Sequence, residues 1–247
     1  MPTAFGTSLL AYWNGETSVT HIIERDDGYK EETLVEYLFK QKNDWPKEEV
    51  YTLEHIPTNS NVLDIGCGAA RVGMVLQTEG HQVVGVDSCP EAIQISKARG
   101  LHFTYLRDIC QLETPPILDQ FDSIIMMGNN FGICGDIPET EKLLTRLSSF
   151  LTDTGLLIFS CRDPLKTNKA IHLAYHSKNR ELGRPPGLIR LRVVYQDLKD
   201  PWWDLLFVGV QTAEKILENT GFQRIALYQD ASSAIYYIVA RKLESIK

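Results

Sequence analysis

The sequence predicts a doubly wound α/β fold on a mostly parallel seven-stranded sheet, and three observations predict it. The first is the stretch Asn61 to Asp87. There an apolar run, Val62-Leu63-Asp64-Ile65, leads through a glycine turn at Gly66-Cys67-Gly68 into a helical pattern at Val72, Val75 and Leu76, then a second apolar run, Val83 to Val86. The second is that the alternation of strand and helix continues as far as Cys161. The third lies near the C-terminus, where only Asp230 to Ser233 separates the strands Phe222 to Tyr228 and Ala234 to Ala240. That gap is too short for a helical crossover, so the two strands run antiparallel.

In chain order, residues 1–32 read as a loop-rich arm holding Tyr12-Trp13-Asn14-Gly15, the apolar run Val19 to Ile23 and a polar turn at Asp26-Asp27-Gly28. Tyr12 and Trp13 either close over a bound nucleoside or substrate or anchor the arm to the core; the sequence leaves both open. Thr33 to Lys40 has helical spacing, and a second helix starts near Pro46, with Glu48 and Glu49 complementing its dipole. After the turn, Pro90 to Arg99 is a helix, His102 to Leu106 the third strand, and Phe121 to Met127 the fourth, apolar throughout as expected when helices cover both faces. Glu139 to Leu151 is an amphipathic helix, Gly155 to Cys161 the fifth strand, and Gln211 to Thr220 a helix stopped by Gly221. Residues 163–208 break the rhythm. His172 to Lys178 and Leu188 to Gln196 each alternate around Gly183-Arg184-Pro185-Pro186-Gly187, which predicts an inserted β-hairpin cap over the ligand edge.

The turn carries the chemistry. Glycines at 66 and 68 let the backbone turn tightly and a ligand approach the N–H groups that open the next helix, and Asp87, at the tip of the second strand, can accept both hydroxyls of a ribose. A dinucleotide fingerprint needs a third small residue, and Arg71 stands there instead. The run D-I-G-C-G-A-A-R, Asp64 to Arg71, resembles motif I of the class I S-adenosylmethionine-dependent methyltransferases, with Ala70 where many members have glycine.

That resemblance covers about residues 45–162 and 210–241, and it implies strand order 3-2-1-4-5-7-6 with the last strand antiparallel. It implies S-adenosyl-L-methionine as cofactor. Gly66, Cys67 and Gly68 would pass its methionine portion, Asp64 would help bind its amino group and Arg71 meet its carboxylate. Asp87 would hold the ribose, Ser88, Asp108 and Ile109 the adenine, and Met127 with Gly128 the methionine side; Tyr12 joins these cofactor contacts on the reading in which the arm closes over the nucleoside.

Substrate contacts are expected from Trp13 and from Asn129 and Asn130, which follow the fourth strand. The segment Gly128-Asn129-Asn130-Phe131 partly resembles the asparagine-proline-proline-aromatic motif of enzymes that methylate base amines, but lacks both prolines, which argues against a base. Methyl transfer from a sulfonium needs alignment, plus a base only when the acceptor is a hydroxyl. His172 and His176, four apart in the insert and on one face if it is a strand, are the candidate bases. The insert is basic, and either an anionic substrate or a salt-bridged seam with the acidic arm, Glu24 to Glu36, accounts for that.

Composition bounds the rest. The chain has 247 residues, 43% hydrophobic and 23% charged, which suits a single domain over 1–247 with an N-terminal arm and helices over 1–60 and the cap over 163–208. A net charge of −7 argues against wrapping nucleic acid. No membrane span and no signal peptide is read, which predicts a cytoplasmic protein. The five cysteines predict reduced thiols, and without a Cys-x-x-Cys pair no metal is expected. The function read from all this is methyl transfer from S-adenosylmethionine to a small molecule. The alternatives are a non-catalytic S-adenosylmethionine-binding protein and a nicotinamide-dependent oxidoreductase.

Overall fold

The computed structural model describes residues 2–243; Met1 and 244–247, included in the single domain read from the sequence, lie outside them. The arm is more regular than its sequence pattern predicts. Helix α1 (Ala4–Trp13) is capped by Thr3, whose hydroxyl accepts the Gly6 N–H at 2.8 Å. Strands β1 (Thr20–Arg25) and β2 (Lys30–Leu34) then form an antiparallel pair. The helix expected over Thr33 to Lys40 is corrected accordingly: pairing of Thr33 with His21 and Leu34 with Thr20 draws its start into β2, and only Val35–Phe39 winds, as a 3₁₀ turn. Helix α2 (Lys47–Leu53) begins directly after Pro46, as read.

The main sheet follows the predicted rhythm: β3 (Asn61–Ile65), α3 (Arg71–Thr78), β4 (Gln82–Asp87), α4 (Pro90–Ala98), β5 (Phe103–Leu106), β6 (Phe121–Met126), α5 (Ile137–Phe150) and β7 (Leu151–Arg162). After the insert, α7 (Val210–Asn219) leads to β11 (Phe222–Tyr228) and β12 (Ile235–Lys242). The order is β5-β4-β3-β6-β7-β12-β11, and β12 alone runs against its neighbours, which is the predicted 3-2-1-4-5-7-6 arrangement. Strand β6 feeds both sides of the core: Ile124 and Met126 pack with Leu143, Leu147 and Phe159, while Ile125 packs with Val62, Val72 and Ile158. Its apolar run is the sequence trace of that double burial.

The insert departs from the simple hairpin. His172 to Lys178 belongs to a helix, α6 (Ala170–Glu181), not to a strand; Tyr175, His176 and Asn179 bury one helical face, and basic residues fill its last turn. The hairpin lies later, where β8 (Leu188–Tyr195) pairs with the short β9 (Leu198–Lys199) and with β10 (Trp203–Leu206). Strand β8 also pairs with β1, so arm and insert form one antiparallel sheet, β10-β8-β1-β2. Helix α1 lies between this sheet and the main domain, its Ala4 and Leu9 packed with Val193 and Tyr195 on one side and Ala92 and Ile95 of α4 on the other.

Of the two explanations for the basic insert, the salt-bridged seam is present: Arg192 meets Glu24 at 2.7 Å, and its guanidinium stacks 4.3 Å from the Trp202 ring. The cysteine expectation is corrected in part. Cys110 and Cys134 form a disulfide with Cα atoms 5.7 Å apart, while Cys67, Cys89 and Cys161 are free and buried. The two paired residues come from the segments that follow β5 and β6, which leave the same edge of the sheet with β4 and β3 between them. No helix among the described residues is long and apolar enough to cross a membrane.

Candidate functional site

Strand order reverses on the two sides of β3, so the crevice lies above the tips of β3, β4 and β6. At the β3 tip, the N–H groups of Gly66 and Cys67 donate to Val86 O at 2.8 and 3.1 Å. The Gly68 N–H donates to Asp87 Oδ2 at 2.8 Å, and the Cys89 N–H donates to the other oxygen, Oδ1, at 2.8 Å. The carboxylate is thus fixed across the tips of two strands, with lone pairs left for further donors. Burial raises the Asp87 pKa, and the backbone donors oppose that shift.

Gly66, Gly68 and Gly128 all have positive φ, at 68°, 55° and 70°. Open space lies where a Cβ would project from Gly68 and Gly128, but at Gly66 that space holds the Asn130 side chain. Ala70, the departure from glycine, also has positive φ, 57°, and is fully buried at the start of α3. Ser96 and Arg99 of the α4 region secure the turn from the far side, donating to Gly68 O at 2.7 Å and Ala69 O at 2.5 Å.

Asp64 is buried beneath the turn, and its pKa is pushed up to about 7, mainly by loss of solvent; Arg71 opposes the shift and Asp87 adds to it. Arg71 pairs with Glu49 at 2.5 Å and lies over the Trp45 ring at 4.6 Å and the Tyr37 ring at 5.5 Å. Its Nη1 is buried without a partner. Burial raises the Glu49 pKa against the pull of Arg71.

On the adenine side of the crevice, Asp108 caps a 3₁₀ turn, accepting from Cys110 N at 2.9 Å and Gln111 Nε2 at 3.0 Å, and is exposed; the Ile109 side chain is in the core. Ser88 is exposed beside Asp87, and Met127 is buried behind Gly128. The Asn129 N–H donates to Ser160 Oγ at 3.1 Å, while its Oδ1 is buried and unpartnered.

The remaining candidates are grouped elsewhere. Tyr12 and Trp13 line a groove of about 790 Å³ with Phe39, Lys40, Arg71 and Arg99; of the other predicted cofactor residues it includes none. Both rings pack on Phe39, with centroids 4.8 and 6.5 Å away. His172 and His176 share one face of α6, because four residues make about one helical turn. His172 Nδ1 lies 3.2 Å from Thr167 Oγ1, and its ring meets Tyr29 edge-on at 5.0 Å. His172 Nε2 and His176 Nδ1 are buried and unpartnered, and burial lowers both pKa values, helped by Arg25.

Sequence reasoning missed Glu49, Trp45, Ser96, Arg99 and Ser160. Glu49 was visible only as a helix-start acid; its pairing across 22 residues leaves no local trace. Among the described residues no group of three or more His, Cys, Asp or Glu is arranged to hold a metal ion.

Residues 56–221 match the family described as "Methyltransferase domain". Among curated relatives, the glycine/sarcosine/dimethylglycine N-methyltransferase of Actinopolyspora halophila is 22% identical over 182 residues, 68% of this chain and 32% of that protein. The 2-heptyl-1-hydroxyquinolin-4(1H)-one methyltransferase of Mycobacteroides abscessus is 42% identical over 53 residues, 21% of this chain and 23% of that one. The chain therefore spans about a third or less of the length of these two relatives. Among solved structures, a S-adenosylmethionine-dependent methyltransferase from Bacteroides fragilis, in complex with S-adenosyl-L-homocysteine, superposes with a TM-score of 0.79 at 19% identity, over 97% of this chain and 94% of that one. At that identity the likeness shows a shared fold. The family match spans most of the chain, glycine turn and carboxylate-tipped second strand included, and on that ground the chain belongs to the class I methyltransferases, whose methyl donor is S-adenosylmethionine.

Proposed function

We propose that this chain transfers a methyl group from S-adenosylmethionine to a small molecule held between the strand tips and the cap made by the arm and residues 163–208. The observation that carries the reading is the Gly68 N–H to Asp87 hydrogen bond across the tips of β3 and β4, beside open space above Gly68 and Gly128. A carboxylate held by two backbone donors is preorganised to accept a ribose diol, and glycine without a side chain admits a ligand to the backbone.

In this reading Asp87 takes the ribose hydroxyls, Ser88, Asp108 and Ile109 bound the adenine, and Gly66, Cys67, Gly68, Met127 and Gly128 line the methionine portion. Two orphaned atoms support it: Arg71 Nη1 has the chemistry to receive a carboxylate, and Asn129 Oδ1 to receive an N–H or O–H. Asp64, under the turn and with its pKa pushed up to about 7, is the acid whose ionised form a nearby ammonium would favour. Tyr12 and Trp13 belong to the arm's packing on Phe39 and border the Arg71 side.

When bound, the cofactor supplies a methyl on a positively charged sulfur that leaves without an acid. The chain's task is alignment and, for a hydroxyl acceptor, removal of one proton. Burial lowers the pKa of His172 and His176, which favours the neutral form that a base needs, and they stay the candidates for that proton. The small-molecule acceptor is supported by relatives named for glycine, sarcosine and dimethylglycine and for a heptyl-hydroxyquinolone. One domain over the whole chain is supported by the pairing of β1 with β8 and by α1 packed on α4.

The test is parallel calorimetric titration with S-adenosylmethionine, S-adenosylhomocysteine and a nicotinamide dinucleotide. Binding of the two adenosyl compounds alone, followed by turnover on a small-molecule acceptor panel, is expected. Binding of the dinucleotide alone overturns the reading, and tight adenosyl binding without turnover on any acceptor favours a non-catalytic binder.

A further inference from the structure

The loop after β6 bears on the glycine turn in a way that the cofactor motifs do not assign. Asn130 Nδ2 donates to Ile65 O at 3.0 Å and to Gly66 O at 3.3 Å. The β3–β6 ladder ends with Asp64 opposite Ile125, so this amide continues the ladder one step past its last backbone pair. A Cβ on Gly66 would lie 2.2 Å from Asn130 Nδ2, so the first glycine of the motif makes room for this side chain. We propose that Asn130 is a positioning residue for the methyl donor, setting the conformation of the Gly66-Cys67-Gly68 turn through its side-chain amide rather than contacting the acceptor. The inference rests on the proposed cofactor site.

Asn130 can do this because its own loop is braced on three sides. Asn129, at φ 69°, is held by Ser160 through its N–H. Gly132 lies so close to Leu206 of β10 that a Cβ there would come within 2.1 Å of Leu206 O. Cys134 is tied to Cys110. The loop therefore touches the cap through Leu206 and the donor turn through Asn130.

The test compares Asn130→Asp and Asn130→Ala with the natural protein, reading S-adenosylhomocysteine affinity by calorimetry at about pH 5 and pH 8. Asn130→Asp is isosteric, but once ionised it turns lone pairs toward two carbonyl oxygens. It should bind at least about tenfold more weakly at the higher pH and recover in part at the lower, because the two facing carbonyl oxygens disfavour the ionised carboxyl, raise its pKa above the ordinary value of about 4 and let the protonated form donate again. Asn130→Ala should lose affinity equally at both. In ligand-free Asn130→Ala, amide exchange of Cys67 and Gly68 should quicken while that of β12 stays unchanged, a pattern that general destabilisation would not give. Unchanged affinity in both variants with a raised acceptor KM overturns the proposal and makes Asn130 an acceptor contact. Natural protein that binds neither adenosyl compound overturns both this inference and the cofactor site beneath it.

Discussion

Arg71 and Glu49 form an ion pair at 2.5 Å with side chains only 10% and 2% exposed, and Arg71 Nη1 beside it has no partner. Burying two charges gains little over a well-packed apolar pair, but removing one partner strands the other. Glu49→Ala should therefore cost about 3–5 kcal/mol in denaturant unfolding, and the double variant Glu49→Leu with Arg71→Met should recover much of it. A cost under about 1 kcal/mol for Glu49→Ala would mean that solvent reaches the pair.

Asp64 makes stability depend on pH. Its folded-state pKa is raised from 3.8 to about 7, so between those values the unfolded chain releases a proton that the folded chain keeps. Its contribution therefore falls as pH rises from about 4 to 7 and is flat above that. Asp64→Asn, which can still accept a hydrogen bond, should lose this slope and gain roughly a few kcal/mol over the natural protein near pH 8. Melts of the two proteins across pH 4 to 8 check it; parallel curves would contradict the assignment.

Asp87→Ala removes an acceptor of two backbone N–H groups as well as the proposed ribose contact. Nucleoside affinity should drop by about 1–3 kcal/mol. Calorimetry with S-adenosylhomocysteine measures it, and an unaltered Kd would take Asp87 out of the site.

The two cap histidines should separate binding from chemistry. If either is the base, His172→Ala or His176→Ala leaves S-adenosylhomocysteine affinity intact and lowers kcat on a hydroxyl acceptor by about 10²–10⁴-fold. With both pKa values lowered by burial, natural kcat should hold across neutral pH and fall only below about 6.5, as protonation removes the base. A rate that is flat into acid would point to an acceptor that needs no base.

The Cys110–Cys134 bond closes 24 residues of chain that include all of β6. Reduction by a dithiol, or Cys110→Ser, should lower stability by about 2–4 kcal/mol and weaken adenosyl binding through the Asp108 loop. Identical melting curves with and without reductant would show that the pairing contributes nothing.

The main sheet was legible because its signals are local and mutually consistent: Val62 to Ile65, Gly66 and Gly68, and Asp87 state a strand, a turn and an acidic tip within one short stretch. The gap before β12, six residues from Gln229 to Ala234, is too short for a crossover and gave its direction on steric grounds alone. The cap was less legible. Alternation at His172, Ala174 and His176 imitates a strand, yet the adjacent Tyr175 and His176 are buried together with Asn179, and neighbours on a strand would point to opposite faces. Residues joined by distant pairing, such as Glu49 with Arg71 or Ser160 with Asn129, carry no periodicity to read.

The pairing of β1 with β8 joins residues about as far apart as Glu24 and Arg192, which are separated by 168 positions. At about 5–20 residues per second, a ribosome releases the first strand roughly ten to thirty seconds before its inner neighbour exists. During that interval β1 has only β2 as a partner, its other edge is unpaired, and α1 has no β8 to rest on. The cap therefore cannot close until β8 has been made, and until it closes that bare edge is where nascent chains can associate wrongly.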